Sequence, residues 1–467
     1  MLRYSSCLRN LHYKTSNYHY HLLSKNNIIT IRTPAAAAAS SASSCYSSLS
    51  APNPSPLSSS DEKPILSQFP LLVFPSGSRY YRKGQPRHKA SFRFFNPASN
   101  QFTGQLTSPL DNITQPAAYP VFSNRGWLAY VDYTDFSLFL VNVFSASPSQ
   151  EEDIITLPSF KTFKRFNREE IEEIRRFPET VTVSFGKVAL SSSPKEDNCV
   201  VMLWLGWELL GDWKSDDDYR PTRPAFAFCR IGDTRWTFLE REMTDEDGST
   251  NDIVYSDKDK LFYALHDSGE LEAFDLNNTS SPVSFKCPIT HYPANECLSS
   301  VFEKVDVSSN VAYYADYLVE SPQGELLMID RHTVVLGESI HEYKCYRCRM
   351  MRKNTFCDAP YRSLYFRVYK LNMEKQIAED CSLEGMAAFV GKNQSFCVSV
   401  EDHPGLSPNS IYFTDDFTKV MQYDCPHGGH DNGVYNLLTH TVSPLFQPFD
   451  FKRIRPAPMW VYPDPSS

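Results

Sequence analysis

Two groups of side chains have the types and spacing to hold a metal ion. His341, Cys345, Cys348 and Cys357 combine a Cys-x-x-Cys pair with two further donors, the four N/S ligands that a closed tetrahedral zinc site takes. Their run is crowded with Lys344, Arg347, Arg349, Arg352 and Lys353, and the outer two donors are loosely spaced, so the reading is a surface loop with reduced thiols. Cys425, His427 and His430 flank Gly428-Gly429 and form a second cluster, for which turn residues in a long loop are the simpler account. The stretch Gly385-Met-Ala-Ala-Phe-Val-Gly391-Lys392-Asn393 approaches a phosphate loop. That motif has four residues between its glycines and a Ser or Thr after the lysine to hold magnesium; here there are five, and Asn393 follows. The acidic run Asp245–Asp252 has its glycine two positions too early for a calcium loop, and Asp216-Asp217-Asp218 reads as a solvated acidic turn. Neither a Gly-x-Ser-x-Gly elbow nor a His-Glu-x-x-His pair is present. We therefore expect no catalytic, cofactor-binding or metal-binding residues and a protein that is not an enzyme.

The elements that must position any site are strands. From Phe69 onward, short β-type runs alternate with turn residues: 126–133, 138–144, 181–190, 200–205, 225–231, 236–240, 261–266, 271–276, 326–330, 366–371, 387–390, 396–400, 410–413 and 434–437. Gly232-Asp233, Asp267-Ser268-Gly269 and Gln323-Gly324 each sit between two runs, as hairpin turns do. Only Phe163–Phe177 has helical spacing, with Phe163, Phe166, Ile174 and Phe177 recurring every three or four residues. Strands that do not alternate with helices exclude a parallel α/β sheet. The number of runs exceeds one sandwich, and modules of about 40–50 residues suggest an all-β propeller, with insertions lowering the blade count. We expect a single β-propeller of about six to eight blades over 61–467, in which Trp127, Trp236 and Trp460 are core or closure residues.

Charge divides the chain in two. Residues 1–60 hold Arg3, Arg9, Lys14, Lys25 and Arg32 and no acid, and are rich in Ser, Pro and Ala. Such a composition is that of a transit peptide followed by a linker that cannot bury enough surface to fold. It lacks the uninterrupted apolar stretch of a secretory signal, and the early arginines favour the mitochondrion over the chloroplast. The remainder carries 41 basic against 55 acidic residues, a net charge of -14. A surface of that sign repels polyanions, so no nucleic-acid partner is expected. No apolar run reaches the 18 residues of a membrane span, so no membrane is expected either, and a monomer is the plain reading of a well-charged body.

The segments Arg230-Ile-Gly-Asp-Thr-Arg-Trp236-Thr-Phe-Leu239, Asp252-Ile-Val-Tyr255 and Leu261-Phe-Tyr-Ala-Leu265 resemble a blade hairpin of the plant KIB-type β-propeller family. Tyr317–Ser321, Gly324–Arg331 and Phe366–Leu371 continue the likeness. Its most specific parts are Ala388-Phe-Val-Gly-Lys-Asn-Gln-Ser-Phe396, Asn409–Asp416 and Gly433–Leu437. In many members the propeller follows an F-box, which docks onto a ubiquitin ligase while the propeller selects the target. Residues 1–68 have no F-box-like helices, so the chain is more similar to the organelle-targeted branch that lacks one. The resemblance implies a non-catalytic propeller that binds an unidentified protein partner. The loops 341–353, 212–218 and 424–432 are the candidates for that contact. Two alternatives stand beside it: a ubiquitin-ligase substrate receptor that has lost its F-box, and a metal-dependent enzyme in the propeller channel.

Overall fold

The structure, a computed structural model, describes residues 68–76, 91–107, 121–132, 137–144, 153–159, 181–209, 225–239, 250–266, 269–277, 282–287, 289, 311–335, 361–416, 428–445, 454 and 457–463. All of them belong to the compact unit Glu62–Ser467. The leader, the helical pattern at Phe163–Phe177 and the loops 212–218 and 341–353 lie outside the described residues.

Among the described residues, twenty-five strands form six sheets. The first blade holds β1 (Leu71–Ser76), β2 (Ser91–Asn96) and β3 (Gln101–Thr107). The second is β4 (Phe122–Asn124), β5 (Trp127–Asp132), β6 (Ser137–Asn142) and β7 (Ile154–Thr156). The third is β8 (Val181–Leu190), β9 (Val200–Leu209), β10 (Ala225–Arg230) and β11 (Thr237–Phe238). The fourth is β12 (Thr250–Ser256), β13 (Leu261–His266), β14 (Leu271–Asp275) and β15 (Val283–Cys287). The fifth is β16 (Val311–Glu320), β17 (Leu326–Val335), β18 (Tyr361–Asn372) and β19 (Ile377–Asp380). The sixth contains β20 (Met386–Val390), β21 (Phe396–Ser399), β22 (Ser410–Phe413), β23 (Gly433–Asn436) and β24 (Thr441–Pro444). The last strand, β25 (Met459–Val461), returns to β1, with Leu72 opposite Trp460. Pairing the end of the chain with its beginning removes the open edge that a linear array of sheets would leave.

Among the described residues the hydrophobic core falls into six clusters, and each lies between two consecutive blades. Phe94 and Val141 share one, Leu138 and Leu203 the next, Phe228 and Phe274 the third. Leu265 and Leu318 pack in the fourth, Ile329 and Phe413 in the fifth, and Phe389 and Trp460 in the sixth, which joins the last blade to the first. Six interfaces for six sheets is the signature of a closed ring. Each buried Leu, Ile or Phe contributes about 1.5–3 kcal/mol, so every interface of this kind resists opening. Trp127 and Trp236 are buried in the cluster between the second and third blades, where the Trp236 indole N–H donates to the Pro158 carbonyl at 2.7 Å. Trp460 lies in the closing strand. The three tryptophans are thus core and closure residues.

Around the ring, β25, β4, β8, β12, β16 and β21 are the first strand of each sheet, and successive members of this set touch one another. They line the axis. The sixth blade departs from the simple meander: β21 is inserted at the axis, and β20 and β22 pair parallel behind it. We call the rim where β4, β8, β12 and β16 begin the upper rim. The connections β9–β10 and β17–β18 leave from there, spanning residues 210–224 and 336–360. The lower rim carries short turns, with Gly232 and Gly324 at positive φ where the sequence signals placed them. Length spent on the upper connections explains why about six blades, not eight, fit into the chain.

Candidate functional site: the filled axis and the rim above it

The link between β20 and β21, Gly391–Ser395, crosses the axis. Its Gln394 N–H donates to the Ser123 carbonyl on β4 at 3.0 Å. Its Gly391 and Asn393 carbonyls accept from the Lys187 ammonium on β8 at 2.6 and 3.2 Å. Its Ser395 hydroxyl donates to Asp252 Oδ2 on β12 at 2.8 Å, and the same oxygen accepts the Leu318 N–H of β16 at 3.0 Å. On the far side, Ser123 donates its hydroxyl to the Trp460 carbonyl of β25. One five-residue segment of the sixth blade therefore ties all the others into a single polar network.

Local sequence prepares these contacts. β8 is bulged between Phe185 and Val188, which places Lys187 in an irregularity, and β12 is bulged between Thr250 and Asp252. A bulge turns a side chain away from its regular alternation, which is what a charge needs if it is to point along the axis instead of into a blade interface. Lys187 and Asp252 approach to 3.4 Å, and Asp252 is wholly buried. Burial pushes the Asp252 carboxyl above its ordinary value, while Lys187, Ser395 and the amides of Leu318 and Ile253 pull it back. Gly391 has φ +147°, and a Cβ there would lie 2.0 Å from Thr414 Oγ1. The glycine that resembled part of a phosphate loop serves this close approach.

A second charged group sits toward the upper rim between the fifth and sixth blades. Arg331 of β17 donates to Ser363 Oγ at 2.7 Å, Tyr317 Oη at 2.9 Å and the Thr414 carbonyl at 2.8 Å. It also pairs with Asp416 at 3.2 Å and Asp431 at 2.9 Å. Asp431 accepts from the Ser363 N–H and hydroxyl, the latter at 2.7 Å. Asp415 accepts from the Tyr361 hydroxyl at 2.6 Å and from the His430 and Asp431 amides at 3.1 and 3.3 Å. Burial of the Arg331 guanidinium opposes its charge, but Tyr317, Asp416, Asp431 and Asp415 outweigh it and hold the group firmly protonated. For Asp415, burial and then the neighbouring Asp431 raise its carboxyl, against the pull of His430, Tyr361 and Arg331. The effect is to clamp both stems of the β22–β23 connection, Thr414–Asp416 and His430–Asn432, onto the fifth blade.

This geometry bears on two of the sequence readings. Of the cluster Cys425, His427 and His430, only His430 is among the described residues. Its Nδ1 accepts the Gly428 N–H at 3.1 Å and its Nε2 donates to the Tyr361 carbonyl at 2.9 Å, so both ring nitrogens are occupied by the main chain. Of the loop 424–432, residues 428–432 are buried and serve as an anchor, not as a contact surface. Gly429 shows why: at φ +72° it packs so closely that a Cβ would lie 2.0 Å from the Ile454 carbonyl. His341, Cys345, Cys348, Cys357, Cys425 and His427 lie outside the described residues. Among the described residues, no three His, Cys, Asp or Glu side chains come together as metal ligands. Sequence reading missed Lys187, Asp252 and Arg331 as a set. Their signal was a charge embedded in an apolar strand run, such as Phe185-Gly-Lys187-Val-Ala-Leu190.

Six blades, closed by the terminal strand and packed around an axis filled by the chain itself, define a β-propeller platform. The KIB1-4 beta-propeller family model matches residues 94–436, well over half of the sequence, and the chain belongs to that family. The match ends at Asn436, the last residue of β23. No curated protein matches the chain. Among solved structures, Hsv2 of Kluyvelomyces marxianus is similar at 9% identity, covering 53% of this chain and 88% of that one, with a TM-score of 0.16. A likeness that low carries no argument.

Proposed function

We propose that this propeller is a non-catalytic protein-interaction module that receives its partner on the upper rim and works in the mitochondrion behind a cleavable leader. The observation that carries the reading is the occupied axis. Where propellers hold small ligands, this chain has its own Gly391–Ser395, bonded to the blades around it. Recognition then falls to the connections, which a stiff ring presents without deforming. The acidic loop 212–218 and the basic loop 341–353 belong to connections that leave the same rim, β9–β10 and β17–β18. Loops of opposite sign on one rim suit a partner surface that is itself charge-patterned. The same filled axis counts against a metal-dependent enzyme using the channel.

Proximity labelling with the full chain in isolated mitochondria tests this. The expected result is a reproducible partner whose labelling drops when Lys344, Arg347 and Arg349 are reversed to Glu. Loss of import on removing residues 1–60 is expected alongside. Recovery of no reproducible partner overturns the module reading, and a fusion that stays cytosolic and co-purifies with a ubiquitin-ligase adaptor replaces it with the receptor alternative.

A further inference from the structure

A cleft opens on the lower rim, away from the connections invoked above, between the third and fourth blades. It measures about 830 Å³, within the range of small-molecule sites. Three cationic side chains line it: Arg125 from the β4–β5 turn, Arg230 from the end of β10 and Lys260 from the β12–β13 turn. Arg230 is held in place by main-chain carbonyls, donating to Asn198 at 3.3 Å and to Leu276 and Asn277 at 3.3 and 2.8 Å. Fixing a guanidinium through neutral carbonyls leaves its charge uncompensated. Arg125 is different, because its charge is taken by Asp257 at 2.6 Å. Glu196 is the other acid on the wall. Counting Arg230 and Lys260 against Glu196, the cleft keeps one positive charge in excess on a body whose net charge is -14. One wall carries Tyr255 against Phe262, ring centroids 4.8 Å apart, and among the described residues the Tyr255 hydroxyl makes no hydrogen bond.

We propose that this cleft binds a small organic anion, with a phosphate or carboxylate head between Arg230 and Lys260 and a flat body against Tyr255. Arginine matches such heads because its planar fork offers parallel N–H donors, and a pre-fixed fork loses little entropy on binding. Lys260 has φ +57°, a conformation uncommon for a residue with a side chain. Glu196 acts against the ligand, which fixes the sign of its substitution. Because the cleft lies on the opposite rim, its failure would leave the docking reading untouched.

Calorimetric titration of the full chain with phenyl phosphate, benzoate and inorganic phosphate tests the assignment. We expect saturable binding of phenyl phosphate, weakened by about tenfold in Lys260→Glu and strengthened by about two- to fivefold in Glu196→Gln, as loss and gain of one charge beside a charged hydrogen bond would give. Both side chains are exposed, so these variants keep the fold, whereas Arg230→Met removes a brace between two blades as well. Tighter benzoate than phenyl phosphate would name the head as carboxylate and support the class. Absence of saturable binding by either aromatic anion, equal affinity for inorganic phosphate and phenyl phosphate, or affinities indifferent to Lys260→Glu and Glu196→Gln would overturn it.

Discussion

The axis and the clamp at the fifth and sixth blades are both buried and charged, yet they are composed differently. At the axis one cation, Lys187, meets one carboxylate, Asp252, and the remaining partners are neutral carbonyls, amides and a hydroxyl. In the clamp one cation, Arg331, faces Asp416 and Asp431, with Asp415 beside them. The axial pair is balanced; the clamp carries surplus acid. A balanced pair costs desolvation and returns mainly a defined geometry, here the path of Gly391–Ser395 across the axis. A surplus of acid makes the cation indispensable and leaves at least one carboxyl preferring its proton. The two networks should therefore respond unequally to loss of their cation.

The largest effect is expected from Arg331→Met. It keeps most of the side-chain stem but leaves the buried Asp431 and the partly buried Asp416 without their shared counter-charge. Breaking a buried ion pair from one side costs about 3–5 kcal/mol, and two carboxylates losing one partner place this variant at the upper end. Urea denaturation would read it as a fall in midpoint at unchanged slope. A loss below about 1 kcal/mol would mean that the acids find other partners and that the clamp is not organised by Arg331.

Lys187→Met should cost less, about 3 kcal/mol, because it strands a single carboxylate that keeps the Ser395 hydroxyl and the Leu318 and Ile253 amides. The comparison sharpens in the double variant Lys187→Met/Asp252→Asn. Asparagine retains an acceptor for Ser395 and Leu318 without a charge to bury, so the double variant should recover more than half of the loss. A double variant as unstable as the sum of the single ones would show that the two residues act independently, contrary to their 3.4 Å approach.

How much of this could be read from residues alone follows from range. Strands such as β13 and β20 announce themselves because alternate or continuous apolar positions are buried on a blade interface, as at Phe262–Leu265 and Ala387–Val390. Gly232 and Gly324 mark turns because their conformation is local. β15 and β24 gave no such signal: they are outer edge strands whose residues are nearly all exposed, so no burial pattern is imposed on them. β17 extends to Val335, beyond the Leu326–Asp330 run, because Arg331, His332 and Thr333 are polar residues buried by the clamp and interrupt the apolar pattern. The axial link is invisible for another reason. Lys187, Asp252 and Ser395 come from three blades, and nothing near any of them in sequence specifies the other two. Even the near-match of Gly391-Lys392-Asn393 to a phosphate loop had a local cause, the space that Thr414 denies to a Cβ.

The smallest effect concerns Asp415. Its carboxyl is raised by burial and by Asp431, so the folded state holds a proton that the unfolded chain has released. Such a group contributes stability that is full below the ordinary aspartate value of about 4 and is lost as pH rises through the raised folded value. Asp415→Asn retains an oxygen for Tyr361 and the two amides and removes the titration, at a cost or gain of about 1 kcal/mol or less at neutral pH. The stability of the wild type minus that of the variant, measured in urea, should accordingly be smaller at pH 7.5 than at pH 4.5. A difference that stays constant, or grows with pH, would mean that the acid surplus of the clamp is compensated.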